Sequence, residues 1–324
     1  MYNKKIFFKY YLYMESSKVL NILLVTHNAR MRCFLEDIIK QKMDNYRREA
    51  KVDEIRFKNG AVLLLEINKT QKKLSLVFEG TVTKPRKGAY FTTKSNYDEK
   101  DIKYLHFEEI NDINLDLKLN KDFDYKIYIV RHGEASHNVA KINIFRDTDL
   151  TKDGIQQAIA VGSYFKQKNI NFDFYFSSYL KRSRQTIDYI LEAMNKIEKN
   201  KNIIVIPCAH ELAYSIEGHC DQKAEGKPMP PENIMACPGK NVGCNTIDYC
   251  CSTPRISIDW SYYEKFYKEK KRCRDTNMIQ EIISYVEALP TTPTVAEIRQ
   301  QGGGFYLKKY LEYKTKYLKL KHRH

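Results

Sequence analysis

No stretch of the sequence approaches the roughly 20 consecutive apolar residues that a bilayer-crossing helix needs, which excludes a helical membrane protein. The nearest thing to a leader is Phe7-Phe8-Lys9-Tyr10-Tyr11-Leu12-Tyr13. Lys9 interrupts it, it is short, and no small-residue cleavage site follows. The expected product is a soluble, cytoplasmic protein with a frayed extension over residues 1–16. No internal repeat is visible, so a solenoid or propeller is excluded as well. Proline is scarce, and five of its nine occurrences, Pro228, Pro230, Pro231, Pro238 and Pro254, crowd into residues 218–257. That stretch reads as an irregular insertion, a candidate lid over a site. Acidic residues number 40 against 55 basic ones, for a net charge of +15. An excess of this size draws anionic ligands toward a cleft. The lysines are scattered and the densest basic stretch is an amphipathic tail over 290–324, so phosphorylated molecules are the expected partners and nucleic acid is not. Eight cysteines occur, at Cys33, Cys208, Cys220, Cys237, Cys244, Cys250, Cys251 and Cys273. They lack the paired CxxC knuckle of a zinc site, and without a secretory leader they are expected as reduced thiols.

What is present is an alternation of strands and helices. Residues 19–26 form an unbroken apolar run that ends at His27-Asn28, as expected of a parallel strand covered on both faces. Over 29–43, Met31, Phe34, Leu35, Ile38 and Ile39 make a helical stripe. Runs over 61–67 and 74–79 read as a hairpin at a sheet edge, and the polar, aperiodic stretch 80–121 as a linker or a poorly packed insertion. A second apolar strand, 126–130, runs into Arg131-His132-Gly133, with a helix following over 152–168. The third strand, 172–176, ends in Ser177-Ser178 before a helix through 184–194, and the fourth, 203–206, leads to His210-Glu211. Helical patterns return over 260–270 and 278–289. Such alternation argues an α/β architecture with a mainly parallel sheet, which places its sites at the C-terminal ends of strands. The polar clusters all fall there.

Phosphoryl transfer to a protein group needs an in-line nucleophile, cations around the non-bridging oxygens, and an acid for the leaving oxygen. Arg131-His132 supplies the first two at a strand end, and Gly133 would let the backbone approach a phosphate closely. Neutral His132 should have its other ring nitrogen held by a backbone carbonyl.

Arg131-His132-Gly133-Glu134, with Asn138, resembles the RHGExxxN signature of the histidine phosphatase superfamily, which includes cofactor-dependent phosphoglycerate mutases and many phosphatases. The stretch from Leu150 to Ala158 is similar to the family's LTxxGxxQA helix start, and that from Ser177 to Thr186 to its SxxLxRxxQT turn. The family also has a second strand-end histidine, normally far downstream of the first. Nothing after residue 220 fits. Upstream, however, the stretch Leu23 to Arg32 around His27, followed by Arg56 to Val62, resembles that element and its sequel. The resemblance therefore implies a three-layer α/β/α domain, phosphoglycerate mutase-like and circularly permuted. Residues 17–80 would be the second-histidine portion, 81–124 a joining segment, and 125–289 the RHG portion. A fragment joined to a second, incomplete copy is the rival account.

By the same resemblance, His132 attacks phosphorus and becomes phosphohistidine, while Arg131, Arg182 and His27 bind phosphoryl oxygens and Asn138 contacts phosphate or substrate. Some members place an acidic residue directly after the second histidine, where this chain has Asn28. Others use a Glu after the fourth strand; Glu211 matches that pattern and Glu217 is the runner-up. No metal or cofactor is implied. Lys181 and Arg184 read as exposed helix charges, His137 and His219 as incidental. The expected activity is hydrolysis of a phosphomonoester, on a small molecule or a phosphoprotein. Mutase-type transfer and a catalytically silent phospho-ligand scaffold are the alternatives.

Overall fold

The computed structural model describes residues 19–50, 54–82, 102–111, 113–119, 123–136, 138, 148–197, 201–210, 256–269 and 278–289. Nearly all belong to a unit spanning Lys18–Val286; a second unit, Met1–Ser17 with Glu287–His324, lies almost wholly outside them.

Among the described residues ten strands are formed: β1 Val19–Thr26, β2 Glu54–Arg56, β3 Val62–Ile67, β4 Lys72–Phe78, β5 Ile102–Tyr104, β6 Glu109–Asn111, β7 Asp124–Arg131, β8 Phe174–Ser177, β9 Asn202–Val205 and β10 Ser257–Asp259. The helices are α1 Asn28–Ala50, α2 Lys152–Gln167, α3 Lys181–Ala193, α4 Ser261–Lys268 and α5 Met278–Ala288. Eight strands make one sheet in the order β10-β9-β8-β1-β7-β3-β4-β6, and β2 pairs with β5 separately. From β10 to β7 the neighbours run parallel; β3, β4 and β6 are added antiparallel.

Central strands in such a sheet must be apolar on both faces, and Ile22 to Val25 are fully buried. On one face Leu23 and Val25 join Tyr128, Val130 and the α2 and α3 residues Val161, Phe165, Ile187 and Ile190 in a single core. Tyr128, Phe165 and Phe172 meet edge to face there, with centroids 5.0–5.4 Å apart. Burial first, then nearby Tyr164 and Glu66, pushes the Tyr128 hydroxyl up to about 12. On the opposite face Phe176 meets Tyr285 of α5 at 5.4 Å. Helix α1 packs against β7, with Met31 and Leu35 fully buried. The result is a mainly parallel α/β sheet layered between helices. Among the described residues no helix is long and apolar enough to cross a membrane.

Four readings of the sequence are corrected. The hairpin β3–β4 is not the sheet edge, because β6 pairs outside β4. The described part of residues 80–121 is neither a linker nor poorly packed: it supplies β5 and β6, and Leu105, Ile110, Ile113 and Leu115 are buried. Strands of three residues carry too few side chains to show a period. Helix α1 runs beyond 43 to Ala50, broken at Ile39 (φ −138°, ψ 33°). Cys33 is disulfide-bonded, so the expectation of uniformly reduced cysteines does not hold. The N-terminal extension, residues 218–255 with most of the cysteines, and the basic tail fall outside the described residues.

Candidate active site

Strand β1 lies between β7 and β8, with Thr26 opposite Arg131 and Val25 opposite Ser177, so the three C-terminal ends are level. His27 and His132 each follow directly on their strands and are 0% and 1% exposed. Their ring centroids stand 5.0 Å apart with planes at 61°. The His132 N–H donates to the Thr26 carbonyl at 3.0 Å, which carries the β1–β7 ladder one residue beyond the strand. The two strand ends therefore lie side by side with both imidazoles together.

The tautomer of His132 follows from its partners. Nδ1 sits 2.6 Å from the Gly133 carbonyl, which can only accept, so Nδ1 carries the proton and Nε2 of the neutral ring offers its lone pair. The Arg182 Nε donates to that Nε2 at 3.3 Å. His27 Nε2 lies 2.7 Å from Ser178 Oγ and 3.4 Å from Ser183 Oγ, and Ser178 Oγ accepts from the Leu180 N–H at 3.3 Å. Arg131 is held by donating its Nη1 to the Phe57 carbonyl.

Helices α1 and α3 both begin at this end of the sheet, and neither has an acidic residue in its first turn. The positive ends of their dipoles are thus left for an anion. Around them Arg32, Arg131, Arg182, Arg184 and Lys181 are all buried. Lys181 and Arg184 are therefore not the exposed charges expected of them. They sit in the first turn of α3 where it leaves β8, and the Arg184 guanidinium lies 5.3 Å over the Trp260 ring.

The loop after β7 is framed by the signature residues themselves. A Cβ on Gly133 would stand 2.3 Å from the Gly154 carbonyl oxygen, and one on Gly154 would stand 1.9 Å from the Glu134 carbonyl oxygen. Gly133 is thus required by backbone packed on backbone, and close approach to a phosphate is not needed to explain it. Thr151 caps α2 by accepting from the Gly154 N–H at 3.0 Å and donates to Glu134 Oε1 at 2.6 Å. Gln157 accepts from the Glu134 N–H at 2.7 Å, and Gln185 accepts from the Leu150 N–H at 2.9 Å. Asn138 Oδ1 accepts from the Ala135 N–H at 2.9 Å, shaping the loop after Glu134.

Residues 127–239 match the histidine phosphatase superfamily, branch 1. Over that stretch the chain is similar to the superfamily. Over 74 residues it is 39% identical to a 2,3-bisphosphoglycerate-dependent phosphoglycerate mutase of Treponema denticola, covering 22% of this chain and 29% of that one. It is 39% identical over 79 residues to a broad-specificity phosphatase of Saccharomyces cerevisiae, covering 24% and 33%. A 2,3-bisphosphoglycerate-dependent phosphoglycerate mutase of Bacteroides fragilis is 40% identical over 74 residues, covering 22% and 29%. The chain thus matches about a third or less of the length of these relatives. No solved structure matches it.

His27, His132 and Arg182 come together at the strand ends, where Arg131 closes β7. Glu211, Glu217, His137 and His219 lie outside the described residues, although His210, whose Nδ1 sits 2.6 Å from the Pro207 carbonyl, marks where the chain leads to Glu211. Sequence reasoning passed over Ser178, Ser183, Thr186 and Asn59, all buried and bonded to the histidines or their loop. Three of the four lie inside the SxxLxRxxQT stretch, so the motif was their signal. Among the described residues no cluster of three or more His, Cys, Asp or Glu side chains is placed to hold a metal ion.

Proposed function

We propose that the chain is a phosphomonoester hydrolase working through a phosphohistidine on His132, in the cytoplasm, on a small phosphorylated molecule or a phosphoprotein. The observation that carries this reading is the His132 imidazole, with Nδ1 on a carbonyl and its Nε2 lone pair directed among Arg182 and the neighbouring His27 ring. Nε2 forms a bond to phosphorus as the ester oxygen leaves with the bonding pair and takes a proton from Glu211. Water then attacks the phosphohistidine, giving up a proton to the same carboxylate and releasing phosphate and free His132. Arg131, Arg182 and His27 stabilise the charge on the non-bridging oxygens, and a planar guanidinium suits that task where an ammonium would not. Asn138 acts on substrate through the loop it shapes. Glu217 is the second choice of acid.

The same reading makes the domain a circular permutation, with 17–80 as the second-histidine portion, 81–124 as the joining segment, 125–289 as the RHG portion containing the insertion, and 1–16 and 290–324 as appendages. It is supported by β1 inserting between β7 and β8 and by a family match that begins only at residue 127. Two of the similar proteins are phosphoglycerate mutases, which favours mutase-type transfer as the second reading. Turnover of p-nitrophenyl phosphate by wild type, His132→Ala and His27→Ala tests all of this. Both variants should lose activity; survival in His132→Ala overturns the mechanism, survival in His27→Ala alone overturns the permutation, and phosphate moved within a phosphoglycerate without release supports the mutase.

A further inference from the structure

One peptide unit in the site is gripped on both sides, that joining His132 to Gly133. Its carbonyl oxygen accepts from Asn59 Nδ2 at 3.2 Å, and its N–H donates to Thr186 Oγ1 at 3.1 Å. Asn59 is 1% exposed and Thr186 is 0% exposed, so water does not compete for either bond. Having accepted from Gly133, the Thr186 hydroxyl turns its single proton to the Arg182 carbonyl at 2.7 Å. Arg182 in turn donates its Nε to His132 Nε2 at 3.3 Å.

The orientation of this peptide sets where the next carbonyl points, and that carbonyl, on Gly133, holds the His132 Nδ1 proton at 2.6 Å. We infer that Asn59 and Thr186 are positioning residues for His132: together they clamp the His132–Gly133 peptide, fix the Nδ1–H tautomer, and hold the Nε2 lone pair in line with the phosphate-binding Arg182. The inference rests on His132 being the nucleophile and goes beyond it. Neither residue reaches Nε2 itself, so their effect is on geometry and tautomer, not on contact with phosphate. The two arms come from segments far apart in the sequence, Asn59 from the stretch before β3 and Thr186 from α3, which makes the clamp a tertiary device with no local substitute. A hydroxyl that both accepts and donates is required at 186. Serine keeps both functions; valine, of nearly the same shape, keeps neither.

The test uses the full chain as wild type, Thr186→Val, Thr186→Ser and Asn59→Asp, the last replacing a donor by an oxygen that faces the carbonyl. Two readouts are taken: steady-state hydrolysis of p-nitrophenyl phosphate, and ring 15N shifts of His132 in the unliganded protein. Thr186→Val and Asn59→Asp should lower kcat about ten- to a hundredfold, the scale set by sub-ångström misplacement of a reacting group, with KM within about threefold of wild type. Their His132 ring should shift from the Nδ1–H form to a mixture, and Thr186→Ser should restore both readouts. Folded Thr186→Val and Asn59→Asp with wild-type kcat and an unchanged tautomer would overturn the clamp. Should Thr186→Val fail to fold, Asn59→Asp against Thr186→Ser decides by the same criteria. Turnover that persists in His132→Ala defeats the phosphohistidine reading instead, and the tautomer measurement still judges the clamp.

Discussion

Gly154→Ala should cripple the site through the backbone on which it packs. The added Cβ would stand 1.9 Å from the Glu134 carbonyl oxygen, 2.8 Å from its carbon and 2.9 Å from its nitrogen, all backbone atoms. No rotamer change relieves a backbone contact. Opening it to the 3.0 Å that real Cβ atoms observe moves one chain against the other by about 1 Å. The Glu134 backbone cannot yield cheaply, because its N–H is held by Gln157 and its carbonyl accepts from the Thr151 N–H at 2.9 Å. Forced repacking of this kind costs about 1–3 kcal/mol, or roughly 2–12 °C in Tm at about 2–4 °C per kcal/mol for a domain of this size. The displacement passes through Gly133 to His132, one and two residues back, and about 1 Å at a reacting group costs on the order of a hundredfold in rate. Thermal melts and p-nitrophenyl phosphate hydrolysis of the purified variant measure the two effects separately. A folded Gly154→Ala protein with wild-type kcat would refute the argument that these glycines set the place of His132.

Two further outcomes follow from the sheet. Phe165→Ala removes a fully buried ring that packs edge-on against Tyr128 and Phe172, and should cost about 3–5 kcal/mol in urea unfolding; a loss under about 1 kcal/mol would mean the core is not packed as described. Glu66 is bridged by Lys73 at 2.9 Å and Lys126 at 3.0 Å. Partial burial alone would raise its carboxyl, but the two ammonium hydrogen bonds and charges outweigh that and hold it below the usual 4.5. A carboxyl lower in the folded state stabilises fully above its unfolded value, and that contribution is lost as pH falls through the folded one. The urea-midpoint gap between wild type and Glu66→Gln should therefore close from about pH 6 to about pH 3, whereas a pH-independent gap would sink the assignment.

The central sheet was legible because its strands are buried on both faces and so read as unbroken apolar runs. β1 forms over Val19–Thr26, where the run lies, and β7, β8 and β9 fall within two residues of the expected bounds. β5, β6 and β10 were not legible, being three residues each and placed by pairing, not by their own pattern. Lys181 and Arg184 were misjudged for a different reason: residue type predicts exposure on average, while the first turn of α3 is buried by its place at the strand ends. The motifs located the histidines and arginines, but the reason for Gly133, Gln157, Gln185 and Thr186 is contact with residues remote in sequence, which a single chain read in order cannot display.

Chain order matters little to the site because the segments bearing its groups are themselves rungs of the sheet. Beyond the strand ends, His132 N–H bonds to Thr26 O at 3.0 Å, Ser178 N–H to Val25 O at 3.3 Å, and Ile206 N–H to Ser177 O at 3.0 Å. On the other side the Gly60 N–H donates to Arg131 O at 3.1 Å, and the Arg131 N–H to Ala61 O at 3.0 Å. The backbone at these strand ends is thus fixed by its neighbours across the sheet as well as by the loops that follow, so little conformational entropy remains to be lost when an anion is bound. A strand delivered to the slot between β7 and β8 from any point in the chain would place His27 equally well. The physical requirement is the level register of Thr26 with Arg131 and of Val25 with Ser177, and that register is set by apolar faces that a shift of one residue would turn toward the wrong layer.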